Sequence, residues 1–149
     1  MPESSVTQLA ELKIPAQGEF IGLAKRVAAS LGSHLGMGLD EIDELGIAVA
    51  QACASVIEAA EETWGAGATL KLAFAAMERG IGVDVDAIAP TSQEALPRRR
   101  ALSRRSAAEA EMQRALAREM IRLFVDDFRH QIDAGQRQIR YRMVKYLVS

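Results

Sequence analysis

The stretch AVAQACASVIEAAEE, residues 48–62, contains no glycine or proline and repeats its apolar residues at three- and four-residue steps, the pattern of an amphipathic helix. Extended in both directions, Ile42, Leu45, Val49, Ala52, Cys53, Val56 and Ala60 form one stripe suited to a hydrophobic core. Asp40 is placed to cap the start, and the acidic first turn suits the helix macrodipole, so the spacing predicts a helix from about Leu39 to Thr63. The glycines of GAG, residues 65–67, end it. Beside the core stripe, Gln51, Ser55 and Ala59 make a second row at i, i+4 and i+8. That polar edge either performs chemistry or is what remains of an edge that once did.

Working outward, TQLAELKIPA (residues 7–16) alternates loosely into Pro15 and reads as a first strand. EFIGLAKRVAASLGSHLG (19–36) places Phe20, Leu23, Ala24, Val27, Leu31 and Leu35 at helical spacing. After the long helix, ATLKLAFAAM (68–77) and GIGVDVDAIA (80–89) read as two strands joined by a tight turn at residues 78–80. PTSQEALPRRRALSRRS, rich in Pro, Ser and Arg, predicts a mobile loop at about 90–107. Met112, Leu116, Met120, Leu123 and Phe124 then lie on one stripe of a long amphipathic helix that extends to Gln131, and GQRQIRYRMVKYLV (135–148) closes the chain as a strand. The order β, α, α, β, β, α, β is no parallel βαβ series. It predicts an α+β two-layer sandwich, with a mixed, mostly antiparallel sheet and the helices on one face.

A chain of 149 residues accommodates one domain, residues 1–149. No uncharged apolar run is long enough to span a bilayer, and the N-terminus lacks a secretory pattern, so the expected compartment is the cytoplasm. The lone Cys53 excludes an internal disulfide and reads as a small buried hydrophobe. Charge is split along the chain: residues 1–97 carry 5 basic and 14 acidic side chains, and residues 98–149 carry 13 basic and 6 acidic. Attraction between the halves, largely cancelling across a solvated surface, is the simplest consequence.

GIAVAQACASVIEAAE, residues 46–61, resembles the N-box of the anti-sigma regulatory factor (serine/threonine-protein kinase) family, a branch of the GHKL or histidine-kinase-type ATPases, in which that helix reads E-A-C-T-N-A-x-E-H-A. Ala52, Cys53, Glu58 and Ala60 match. LKIPAQGEFIGLAKRVAASLG near the start and MIRLFVDDFRHQIDAGQRQIRYRMVKYL near the end are similar to the family's first and last elements. The resemblance implies the GHKL (Bergerat) sandwich, a nucleotide between the N-box helix and a lid, and partners that are a sigma factor or an anti-anti-sigma protein. Dimers are common in the family.

At the family's chemical positions the sequence departs from the pattern. Gln51 stands where the family's base is a glutamate, and a neutral amide accepts no proton at pH 7. Ser55 replaces the magnesium-holding asparagine, and Ala59 replaces a histidine. Asp86 falls at the adenine-binding place of the Asp-x-Gly-x-Gly loop, yet Ile88 and Pro90 fill its glycine positions. ALAR (115–118) stands for Gly-Leu-Gly-Leu, and Ala115 and Ala117 favour continuous helix over a phosphate-cradling turn.

The expectation is therefore a degenerate member: a regulatory protein-binding module with lost or impaired ATP binding and kinase activity, acting in transcription regulation by sequestering its partner. No catalytic residue, metal or cofactor is expected, with Asp86 and Ser55 as a vestigial nucleotide site. Arg98, Arg99 and Arg100 lie in the region of the family's lid, where they are candidate phosphate contacts. The alternative is an active kinase using ATP and magnesium to phosphorylate an anti-anti-sigma factor, with Gln51 positioning the hydroxyl. The arginines between Arg98 and Arg105 also raise nucleic-acid binding, which a pI near 5.7 and the lack of interleaved aromatics argue against. Asp84 and Asp86 read as a solvated face, with a hard-cation pair as the rival, and His34 and His130, without ligand-spaced neighbours, read as surface residues.

Overall fold

The computed structural model describes residues 6–91, 104–133 and 138–147. In chain order the elements are β1 (Thr7–Pro15), α1 (Ile21–His34), α2 (Leu39–Trp64), β2 (Thr69–Met77), β3 (Gly80–Ile88), α3 (Arg104–Phe124), β4 (Asp127–Asp133) and β5 (Gln138–Tyr146). The strands form one sheet in the order β1-β2-β3-β5-β4, and every pairing is antiparallel. This is the expected α+β arrangement, compatible with a GHKL-like two-layer sandwich, although among the described residues no parallel pair makes the sheet mixed. Among the described residues no helix is long and apolar enough to cross a membrane.

Alternation along the strands decides which face meets the helices. Leu70, Leu72 and Phe74 of β2, Ile81, Val83, Val85 and Ala87 of β3, and Ile139, Tyr141 and Met143 of β5 are buried in the core. Against them α2 lays Leu45, Val49, Ala52, Cys53, Val56 and Ala60, the stripe that its spacing predicts. α1 adds the small residues Ala24, Ala28 and Gly32, which let its backbone approach α2 closely. Gly80 opens β3 because a Cβ there would lie 2.5 Å from the Lys145 carbonyl oxygen across the ladder.

Three boundaries differ from the sequence reading. The start of α2 is not capped by Asp40: Gly38 is the N-cap, and its N–H donates to Glu41 Oε1 at 2.9 Å. The last helix does not run to Gln131. It ends at Phe124, and residues 127–133, read from sequence as helix, form β4 against β5. The helix also begins at Arg104, inside the loop expected at 90–107; residues 92–103 of that loop, with Arg98, Arg99 and Arg100, lie outside the described residues.

The end of α3 is set by tertiary contacts rather than by a glycine or proline. Buried Lys145 of β5 donates from Nζ to the Phe124 carbonyl at 2.8 Å and to Glu44 Oε1 of α2 at 2.9 Å. Two residues on, Asp126 N–H donates to the Val144 carbonyl and its Oδ2 accepts from Tyr146 N–H at 2.7 Å. One lysine thus caps a helix C-terminus and ties two helices to the sheet.

Candidate functional site

The row singled out on α2 lies beside the core stripe. Ser55 and Ala59 are buried and Gln51 is half-buried. Glu58, next to that row, meets α3 through Arg114, whose Nη1 lies 3.9 Å from Glu58 Oε1 and donates to Glu62 Oε2 at 2.9 Å. The other arm of Arg114 donates to Glu111 Oε1 at 2.9 Å. One guanidinium is therefore shared among three carboxylates. Burial pushes the Glu58 carboxyl above its ordinary pKa, an effect Arg114 opposes, whereas hydrogen bonding from Arg114 holds Glu111 below the ordinary value.

α3 runs without a break through Ala115 and Ala117, so no exposed-amide turn interrupts it there. At the end of β3, Ile88 stays in the ladder, opposite Thr69 on one side and Gln138 on the other. Pro90 follows, buried. Ile88 thus continues the strand at the place where the resembled loop has its first glycine.

Asp86 is on the other side of the sheet. Val83, Val85 and Ala87 point to the helices, so Asp84 and Asp86 point away from them, directly across the register from Arg142 and Arg140. Arg140 grips Asp86 through two bonds, Nε to Oδ1 at 2.8 Å and Nη2 to Oδ2 at 3.0 Å. Gln138 Nε2 adds a longer contact to Oδ2 at 3.4 Å. Arg142 holds Asp84 in the same way, at 2.8 and 3.2 Å. These hydrogen bonds raise the guanidinium pKa of both arginines, and they replace the alternatives of a cation pair or a merely solvated face with a cross-strand charge ladder.

The structure therefore does not bring Asp86 and Ser55 into one site: α2 covers the inner face and Asp86 belongs to the outer one. The sequence reading missed Arg114, Arg140 and Arg142 as partners. For the last two the signal was present, because acids at 84 and 86 and arginines at 140 and 142 alternate with the same period on strands able to pair. His34 is exposed, and so is His130, whose ring packs beside Phe128 and Tyr141; partial burial and the positive charges of Arg118 and Arg122 lower its pKa. Among the described residues no group of three or more His, Cys, Asp or Glu side chains is placed to hold a metal ion.

No family model matches the chain. Individual relatives do. The serine-protein kinase RsbW of Halalkalibacterium halodurans is 34% identical over 64 residues, 43% of this chain and 38% of the relative. This chain is similar to RsbW. The RsbW of Bacillus subtilis is 38% identical over 48 residues, 32% of this chain and 30% of the relative, and that of Bacillus pumilus 33% over 55 residues, 37% and 34%. The matched stretch thus spans less than two fifths of each RsbW, and the likeness is weak and partial, in keeping with the family resemblance carried by the α2 residues.

Proposed function

We propose that this chain is a regulatory protein-binding module of the anti-sigma type that performs no ATP-dependent phosphate transfer. The observation that carries this reading is the Asp86–Arg140 pair. The carboxylate that would recognise adenine has both oxygens taken by a guanidinium, on the face of the sheet opposite the helix that would meet the phosphates.

ATP and magnesium do not fit the residues present. An aspartate reads an exocyclic amine through an acceptor lone pair aimed at it, and Arg140 competes for both Asp86 oxygens with full charge assistance. Ser55 is one short hydroxyl, whereas a magnesium ion needs near-octahedral oxygen ligands. Gln51 has no proton-accepting capacity at neutral pH. Arg114, which lies beside Glu58, is balanced by Glu58, Glu62 and Glu111.

What persists is the framework: the α2 core stripe, the sheet and the packing of α3 on α2. A framework kept while chemical positions are altered supports a function in binding rather than in turnover. By the family resemblance, the partner would be a sigma factor, sequestered in the cytoplasm, or an anti-anti-sigma protein that relieves it. The test is a paired assay on purified protein with a candidate sigma factor and a candidate antagonist. Saturable binding that is indifferent to ATP and magnesium, with no phosphate appearing on the antagonist, is the expected result. Phosphate transfer abolished by Asp86→Ala would instead establish the kinase reading that the RsbW name suggests. Affinity for nucleic acid falling steeply with salt would favour the arginine-rich segment as a nucleic-acid surface.

A further inference from the structure

The sheet has two edges, and they are finished differently. β1 is shaped against strand addition: its ladder slips between Gln8 and Ala10, and Pro15, which has no N–H, closes it. β4 has neither device. It pairs with β5 residue for residue from Asp127 opposite Val144 to Asp133 opposite Gln138, with no slip and no proline, and among the described residues no strand pairs with its other side. Alternate residues of an antiparallel strand turn their N–H and C=O away from the partner already present. β4 therefore offers a row of backbone donors and acceptors along seven residues.

One side of that edge has a wall. Phe128, His130 and Ile132 stand opposite Met143, Tyr141 and Ile139 of the core, so they point to the helix layer. Arg122 of α3 lies over the Phe128 ring, 5.1 Å from its centroid, and Ile132, further along, is left 57% exposed. α3 and β4 thus border a groove whose open side is the strand edge. The charge that meets β4 there is positive. Burial first, and then the charges of Arg118 and Arg122, hold the His130 pKa down against a smaller opposing pull from Glu111. On the other face of β4, Arg129 is 79% exposed. These arginines keep only long carboxylate contacts, 3.3 Å from Arg118 to Glu111, 3.6 Å from Arg122 to Glu119 and 4.0 Å from Arg129 to Asp127.

We infer that the free edge of β4, with α3 as its wall, takes up an extended acidic segment of a partner protein as a sixth strand, antiparallel to β4. Main-chain bonds continue the ladder, and alternate side chains read the groove. Carboxylates beside Phe128 and His130 reach Arg122 and Arg118, an aliphatic residue beside Ile132 covers its exposed side chain, and an outward carboxylate meets Arg129. The same arginines repel neutral or basic strands, which makes the edge selective. A second copy's β4 is a poor occupant: paired antiparallel about His130, it sets His130 on His130 and brings a second Arg118 and Arg122 to the first pair. The edge lies apart from the altered row of α2, so the inference holds whatever becomes of the nucleotide site.

The probe is the synthetic peptide Thr-Val-Thr-Glu-Glu-Glu-Thr, titrated into the isotope-labelled full chain and followed by backbone amide shifts. Saturable shifts confined to residues 127–133 and to Arg118 and Arg122 are expected, and alternate amides of β4 that exchange fast in the free protein slow when peptide is added. Replacing the three glutamates by lysines, or combining Arg122→Gln with Arg129→Gln in the protein, weakens binding by about tenfold or more. Methylating the peptide's backbone nitrogens reads the pairing itself. Of the two alternate sets of nitrogens, one abolishes binding when methylated and the other leaves it nearly intact, because only one set faces β4. No shifts in β4 at about 5 mM peptide, equal binding of the lysine peptide, equal effects of the two methylated sets, or slow exchange of every β4 amide in the free protein would each overturn the proposal. The titration contains neither a sigma factor nor a nucleotide, so its failure leaves the reading of the preceding section standing.

Discussion

Replacing Arg140 by methionine isolates the interaction on which the reading of Asp86 depends. The Asp86 side chain is 7% exposed and accepts two charge-assisted bonds, so removing the guanidinium leaves a nearly buried carboxylate short of partners. Breaking a fully buried pair costs about 3–5 kcal/mol. Two features of the site reduce that figure. Arg140 is itself 39% exposed, so water screens the pair, and Lys71 lies opposite Asp86 on β2 with Gln138 already 3.4 Å from Oδ2, so part of the charge is recompensated. The expected loss is about 2 kcal/mol, between the surface and buried limits, or roughly 4–8 °C in Tm for a chain of this size. Asp86→Asn, which keeps one acceptor, loses about 1 kcal/mol. Urea denaturation of both single variants and the double variant gives a coupling energy, expected at about 1–2 kcal/mol. Coupling near zero, or an Asp86→Asn that abolishes ATP binding without loss of stability, would refute the reasoning, because Asp86 would then be a ligand-binding group and not a strut of the sheet.

Lys145→Met removes the cap of α3 and its tie to Glu44; a loss of about 2–3 kcal/mol is expected, with hydrogen exchange accelerated first around Phe124 and Val125. The Cys53 thiol, pushed up to about 12 by burial from an ordinary value of 9.0, resists thiol reagents at pH 8 until denaturant is added. The unfolded chain releases that proton first, so stability falls between about pH 9 and 12, and Cys53→Ala removes this component of the slope. Restoring glycine at 115 and 117 costs about 1 kcal/mol at each position by loosening α3, measured by thermal melts, and confers no affinity for nucleotide, since Asp86 remains on the far face.

The parts of the fold written in local periodicity were legible. α2 reads out of Leu45, Val49, Cys53 and Val56, and the β2–β3 hairpin out of Ile81, Val83 and Val85 alternating against Asp84 and Asp86. β4 was not, because Phe124 and Phe128 continue the helical four-residue step and no glycine or proline intervenes. The break is made from a distance by Lys145, Val144 and Tyr146 acting on Phe124 and Asp126. Likewise the stripe of α3 is plain in the sequence, but its exposure is not. The moment of a helix shows that two faces differ, and only the packing shows that Ile121 rather than Leu116 faces the core. The site followed the same division. The substitutions on α2 could be read one by one, while the face on which Asp86 lies depended on strand phase and on the partner strand's arginines.

Calorimetric titration of the intact protein with ATP and ADP, each with and without magnesium, tests the central claim most directly. The account predicts no saturable heat and no thermal stabilisation at millimolar nucleotide. Saturable, magnesium-dependent binding would contradict it, and would mean that Asp86 exchanges Arg140 for a ligand.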